Sequence, residues 1–174
     1  MTATLIGLLE RSRQLGFLGP GPVEAHVPHA LAFARVPQPD PARALDLGAG
    51  GGLPGLVLAA TVWPSTSWTF VDANVRRTDF LREAVAALDL GSRVEVVTER
   101  AEVVGHDPLH RGIYQLVVAR SFASPAVAAE CAAPLLQVGG RLLVSEPPDV
   151  DLEVRWPREP LAEIGFGPPT AHTE

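Results

Sequence analysis

Ten residues constrain this chain more than any others: Asp46-Leu47-Gly48-Ala49-Gly50-Gly51-Gly52-Leu53-Pro54-Gly55. The run Arg43–Leu47 leads into them with strand-like character. The apolar stretch Leu53–Trp63 leads out and is expected to be helical, with Pro54 in its first turn, where a missing N–H costs nothing. Five of the eight residues from 48 to 55 are glycine, more than a plain tight turn needs. Backbone without Cβ atoms lets a ligand press close. Strand, glycine loop and helix in that order point to a nucleotide-like ligand.

The pattern around the loop continues the alternation. Trp68–Val71 reads as a second strand, Arg93–Val97 as a third and Gln115–Ala119 as a fourth, the last an apolar run typical of a strand covered on both faces. Asn74–Leu90 predicts a helix, with Val75, Thr78, Leu81, Val85 and Leu88 on one face and Gly91 closing it. Pro125–Leu136 predicts another helix, after which Gly139-Gly140 turn the chain into a fifth strand, Arg141–Ser145. Strands alternating with helices give right-handed crossovers and a mostly parallel sheet with helices on both faces, an α/β Rossmann-like class. Such a sheet binds ligands beyond the carboxyl ends of its strands. The candidate site is therefore 46–53, 72–74, 99–102 and 120–124.

Proline sets the expected boundaries. Six of the seventeen prolines fall between Pro20 and Pro41 and six between Pro147 and Pro169. Proline fixes φ and lacks a donor, so dense proline marks loops and edges. Three parts are expected: a helical and Pro-rich segment 1–42, a ligand-binding core 43–146 and a Pro-rich segment 147–174. Leu5, Leu8, Leu9 and Leu15 suggest an amphipathic helix docked on the core. At 174 residues a chain can bury roughly 70% of its unfolded surface in one domain.

Composition excludes several classes. A hydrophobic fraction of 47% with 20% charged residues is not that of a disordered chain. One cysteine rules out an intrachain disulfide framework or a thiolate zinc cluster. No run nears the roughly 20 apolar residues of a membrane span, and Met1–Gln14 has no basic n-region of a signal peptide, so a cytoplasmic protein is expected. All fourteen basic residues are arginine, and the net charge is −6. An acidic chain lacks the long-range field that draws most nucleic-acid binders to phosphate.

Four positions carry the chemistry. Gly50–Gly55 matches G-x-G-x-x-G, but that match starts two residues late, and in the register of Gly48 the third glycine position is Leu53. Asp46, just before the first glycine, suits a cation such as the sulfonium and α-ammonium of S-adenosyl-L-methionine. Asp72 closes the second strand 24 residues after Gly48. It either accepts from both ribose hydroxyls of an adenosyl group or caps the helix that follows. Arg100-Ala101-Glu102 follows the third strand, where an adenine pocket or a solvated loop are both open. Arg120 leaves a buried strand, a costly position unless paired. It either holds a cofactor carboxylate, shapes an acceptor pocket or forms an ion pair with Asp46 or another acid.

Taken together, the segments Asp46–Gly55, Val71–Arg82 and Ala119–Ser124 resemble the GidB-type small-subunit ribosomal RNA guanine-N7 methyltransferases, over about residues 43–146. The Leu-Pro-Gly helix start and the Arg-Ser-Phe-Ala-Ser segment are the more specific parts. The resemblance implies S-adenosyl-L-methionine as cofactor and ribosomal RNA or the small subunit as partner. It puts Gly48 and Leu53 on the cofactor, Asp72 on its ribose, Ala101 and Glu102 beside the adenine, and Arg120 in the cofactor–substrate pocket. With their neighbours, the candidate cofactor-binding residues are Asp46, Gly48, Ala49, Gly50, Leu53, Asp72, Ala73, Ala101, Glu102 and Arg120. Arg120 is also the candidate catalytic residue. Guanine N7 carries an exposed lone pair, so direct displacement needs positioning rather than a strong base.

Departures from that family pattern keep two alternatives open, a small-molecule methyltransferase and a non-catalytic cofactor-binding remnant. The family's Arg-His and Asp-Ser pairs are reduced to Ala25-His26-Val27-Pro28-His29-Ala30. Ser145-Glu146 stand where the family has a lysine after strand five, a reversal of charge. The last strands of the usual seven-stranded sheet are expected to be truncated, and a homodimer to cover the exposed edge. The pairs His26/His29 and His106/His110 have helical spacing, but Pro28 and Pro108 are expected to interrupt both, and no metal site is expected. Cys131 is expected in the core.

Overall fold

A computed structural model describes residues 2–172. Five parallel strands form one sheet: β1 (Arg43–Leu47), β2 (Ser67–Asp72), β3 (Val94–Thr98), β4 (Tyr114–Ala119) and β5 (Leu136–Val144), in the order β3-β2-β1-β4-β5. All carboxyl ends therefore lie along one edge, and the order reverses between β1 and β4, the switch point at which sheets of this class form their ligand crevice. Helices cover both faces. Ala44, Phe70, Leu116 and Val118 point into one core cluster with α1 (Ala3–Gln14), α2 (Val23–Ala32), α3 (Gly55–Thr61) and α4 (Val75–Ala87). Leu45, Leu47, Val71, Val117 and Ala119 point the other way, onto α5 (Ala101–His106) and α6 (Pro125–Ala132). Alternation along a strand with both faces buried explains why these strands read as unbroken apolar runs. No helix among the described residues is long and apolar enough to cross a membrane.

The local boundaries correct several expectations. Pro54 is not inside the first turn of α3 but is its N-cap residue, and the Leu53–Pro54 peptide is cis. Asn74 caps α4, its side chain accepting from Arg76 N–H at 3.0 Å. Val75, the first residue after that cap, is exposed rather than inward, and the buried face of α4 starts at Thr78. Gly91 does not close that helix; Leu88 is its C-cap and Asp89 takes the left-handed backbone, at φ 54°. The helix expected to run to Leu136 ends at Ala132, just before Pro134.

Gly139-Gly140 do not precede the fifth strand but lie within it. The register jumps from Tyr114 opposite Leu136 to Leu116 opposite Arg141, so the glycines form a bulge on β5. A Cβ on Gly140 would come within 2.9 Å of the Tyr114 and Gln137 carbonyls, so the bulge needs glycine there.

Both proline-dense ends carry packed helices. Leu5 and Leu9 of α1 and Val23, Val27 and Ala30 of α2 are buried against α3 and the sheet, whereas Leu15 is exposed. Pro28 lies inside α2 without interrupting it, contrary to expectation, while His110 does fall outside α5. Beyond β5 come two short helices, α7 (Leu152–Arg155) and α8 (Arg158–Glu163). Trp156 and Leu161 pack on Ala128 and Ala129 of α6. Glu146 accepts from Trp156 Nε1–H at 2.7 Å and from Arg155 Nε–H, which ties this segment to the end of β5.

Candidate functional site

The turn after β1 is held by the strand beside it. Gly48 and Ala49 N–H both donate to the Val71 carbonyl at 2.9 Å, and Gly48, Gly50 and Gly52 all have positive φ. These values suit glycine and few other residues. The loop thus lies across the carboxyl ends of β1 and β2.

Asp46 lies under that loop and is fully buried. Its Oδ2 accepts from Gly55 N–H at 2.7 Å, while its Oδ1 is buried with no hydrogen-bond partner. A buried lone pair without a donor is costly and needs a reason. Burial pushes the carboxyl from its ordinary 3.8 up to about 7, against the pull of the Gly55 N–H; the charge of Asp72 pushes it further and that of Arg120 opposes. The group is thus poised to ionise when a cation approaches. Gly55 has to be glycine, because a Cβ there would collide with the Asp46 carboxylate and come within 2.8 Å of the Phe70 ring.

Asp72 closes β2 directly beside the loop and is nearly buried. Its Oδ2 accepts from Gly50 N–H at 2.9 Å and its Oδ1 from Asn74 N–H at 2.8 Å; Arg77 Nη1 stands 3.7 Å away. The helix cap itself is Asn74, so Asp72 is free of that duty and instead fastens the glycine loop to the strand. A carboxylate has about four acceptor positions, so two remain for the hydroxyls of a sugar.

Arg120 leaves β4 on the same edge. No carboxylate lies within 4.0 Å of it among the described residues, so the alternative of an ion pair with Asp46 or another acid is not formed as a contact. Burial lowers its pKa from the ordinary guanidinium value, and the Asp46 charge works against that shift. Its Nη2 lies 3.1 Å from His26 Nδ1. The next residue, Ser121, is exposed and held at φ 52°, a strained backbone for a side-chain-bearing residue. Phe122 then folds its ring back on Gly48, where a Cβ would sit 2.5 Å from the Phe122 Cδ2.

The remaining candidates sit around this centre. Ala49 and Leu53 are buried within the loop, whereas Ala73 is exposed between Asp72 and the Asn74 cap. Ala101 is buried at the start of α5, past the end of β3, and Glu102 beside it is exposed. Arg100 Nη2 donates to Glu102 at 2.7 Å, and that bond holds the Glu102 carboxyl below the usual range. The topology brings the ends of β1, β2 and β4 together, while Ala101 and Glu102 follow edge strand β3, at the start of a helix that runs back over the face of the sheet beside α6. Among the described residues no group of three or more His, Cys, Asp or Glu gathers to hold a metal ion.

Two residues of this site escape a linear reading. Ser12, fully buried on α1, donates its hydroxyl to the Gly51 carbonyl at 2.9 Å. His26, from α2, meets Arg120 as above. Both bonds join residues far apart in the chain, and no local spacing announces either.

An unpartnered buried carboxylate oxygen, a guanidinium without an acid and a second carboxylate beside a glycine loop form a set suited to a zwitterionic, cationic nucleoside. The comparisons agree with that chemistry. The family model GidB, rRNA small subunit methyltransferase G, matches residues 22–150. The ribosomal RNA small subunit methyltransferase G of Roseiflexus castenholzii is 42% identical over 125 residues, covering 72% of this chain and 53% of that protein. The chain thus spans about half the length of the curated relatives it matches. Among solved structures, a methyltransferase from Geobacter sulfurreducens aligns at TM-score 0.60 and 16% identity, over 83% of this chain and 70% of that one. A SAM-dependent methyltransferase from Thiobacillus denitrificans, solved with S-adenosyl-L-homocysteine, aligns at 0.54 and 22%, over 68% of this chain and 48% of that one. At these identities the solved structures show the fold alone.

Proposed function

The chain belongs to the rRNA small subunit methyltransferase G family, and we propose that it acts in the cytoplasm as an S-adenosyl-L-methionine-dependent methyltransferase on N7 of a guanine in small-subunit ribosomal RNA. S-adenosyl-L-methionine supplies, when bound, an electrophilic methyl group on a sulfonium. The residues of this chain supply its seat. Asp46 Oδ1 receives the α-ammonium, Arg120 the α-carboxylate, and Asp72 the ribose hydroxyls. Gly48, Ala49, Gly50 and Leu53 provide the backbone floor. Ala73 borders the ribose, and Ala101 and Glu102 the adenine. The acceptor nitrogen needs no deprotonation, so the set contains no general base; positioning and charge complementarity carry the rate.

The single observation that carries this reading is the Asp46–Arg120 pair. The two lie within Coulombic influence of each other yet form no contact, and Asp46 keeps an oxygen free. A structural ion pair would have closed. Groups of opposite sign left apart, one buried and one half-buried, suit the two ends of an amino acid.

Titration calorimetry with S-adenosyl-L-homocysteine tests the seat. Binding is expected for the whole chain, weakened about tenfold or more by Asp72→Ala, the range for losing hydrogen bonds to a charged group. No binding at millimolar ligand ends the proposal. The acceptor is tested separately, by primer extension across small-subunit ribosomal RNA from a deletion strain. One methyl-dependent stop is expected to vanish and to return on complementation. An unchanged profile removes RNA as the substrate.

A further inference from the structure

We infer that His26 is a positioning residue that aims Arg120 at the carboxylate of the bound cofactor, an assignment that rests on the seat proposed above. The imidazole lies between two groups that each permit only one role. Gly19 O, 3.3 Å from Nε2, can only accept. The Arg120 guanidinium, 3.1 Å from Nδ1, can only donate. Both demands are met by one state, the neutral ring protonated at Nε2. The two contacts therefore fix tautomer and orientation together.

The choice of a neutral partner is the informative part. Arg120 is half-buried, and an arginine drawn partly out of water for structural reasons is ordinarily matched with a carboxylate, which cancels its charge. Here no carboxylate lies within ion-pair distance among the described residues. His26 occupies one N–H of the guanidinium and leaves its charge intact. The other donors form no hydrogen bond among the described residues. A guanidinium that is held but not neutralised is prepared for an anion. The brace is anchored, too: the segment joining α1 to α2 that supplies Gly19 also packs Leu18 and the Phe17 backbone against Gly51. The segment that holds His26 thus also supports the floor of the seat.

Two nucleosides separate this role from a merely structural one. S-adenosyl-L-homocysteine has the amino-acid carboxylate, and 5′-methylthioadenosine lacks it. In calorimetry on the full chain, His26→Ala is expected to weaken S-adenosyl-L-homocysteine about 3- to 10-fold, the effect of one hydrogen bond, and to leave 5′-methylthioadenosine unchanged. His26→Asn, whose Oδ1 can accept where Nδ1 did, is expected to restore most of the loss. In an Arg120→Ala background, His26→Ala is expected to add nothing. Unchanged S-adenosyl-L-homocysteine affinity in His26→Ala overturns the assignment, and so does an equal loss for both nucleosides. If the unaltered chain binds neither, the seat itself is refuted. Should His26→Ala fail to fold, long-range ¹⁵N correlation spectra of the unaltered chain decide. A neutral His26 protonated at Nε2 is expected; the Nδ1–H tautomer or a cationic ring overturns the role.

Discussion

Asp46 shows how one buried atom ties stability to ligand chemistry. Its carboxyl is raised from 3.8 to about 7 because burial disfavours the charged form. Below about 4 both folded and unfolded chains hold the proton, and above about 7 neither does. Between these limits the folded chain keeps a proton that the unfolded chain has released. Folding stability therefore falls as pH rises from about 4 to about 7, by an amount on the order of 4 kcal/mol. Thermal melts across that range are expected to show the fall, and Asp46→Asn to flatten it, so that the variant gains on the unaltered chain at pH 8 relative to pH 4. On the proposed seat, ligand binding is expected to have the opposite slope. An α-ammonium selects the ionised carboxylate, so S-adenosyl-L-homocysteine affinity is expected to rise from pH 6 to pH 8 and to lose that rise in Asp46→Asn. Calorimetry at three pH values reads the difference.

At the scale of elements, the junction of β1 and α3 is the tightest point. Gly55 faces the Asp46 carboxylate and the Phe70 ring with no room for a methyl group. Gly55→Ala is expected to cost about 1–3 kcal/mol in urea unfolding, as overpacking does. Gly91→Ala, with nothing within 4 Å of the added Cβ, is expected to change little. The same junction was the most legible part of the sequence, because its cause is local: a short apolar strand, then a glycine run, then an apolar helix. Asp72 was placed at the end of β2 by the same kind of spacing. β5 was less legible. Gly139-Gly140 look like a turn in one dimension, but their bulge is defined by the facing carbonyl of Tyr114. Ser12 was illegible as a site residue, and His26, read only as the remnant of the family's Arg-His pair and as half of a His26/His29 pair, gave no hint of Arg120, since their partners stand 39 and 94 positions away. Proline density also misled at Pro28, because a proline can sit within a helix when its neighbours pack well on either side.

Across the whole molecule, the ends of the chain complete the sheet's surroundings. The charge reversal at Glu146 does not leave a free negative charge at the carboxyl edge, because Arg155 and Trp156 both donate to it. That knot and the burial of Trp156 fix α7 and α8 against α6. Trp156→Ala is expected to lower stability by about 3 kcal/mol or more in urea unfolding, with the loss centred on the C-terminal segment. At the other end, α1 and α2 are strung from the ligand-facing turns by Ser12 and His26. If a nucleoside occupies the proposed seat, deuterium uptake along α1 and α2 is expected to slow, because the bonds of Ser12 and His26 couple the helices to the turns. On that expectation α1 and α2 are an antenna for occupancy, to be read by mass spectrometry without any label in the seat itself.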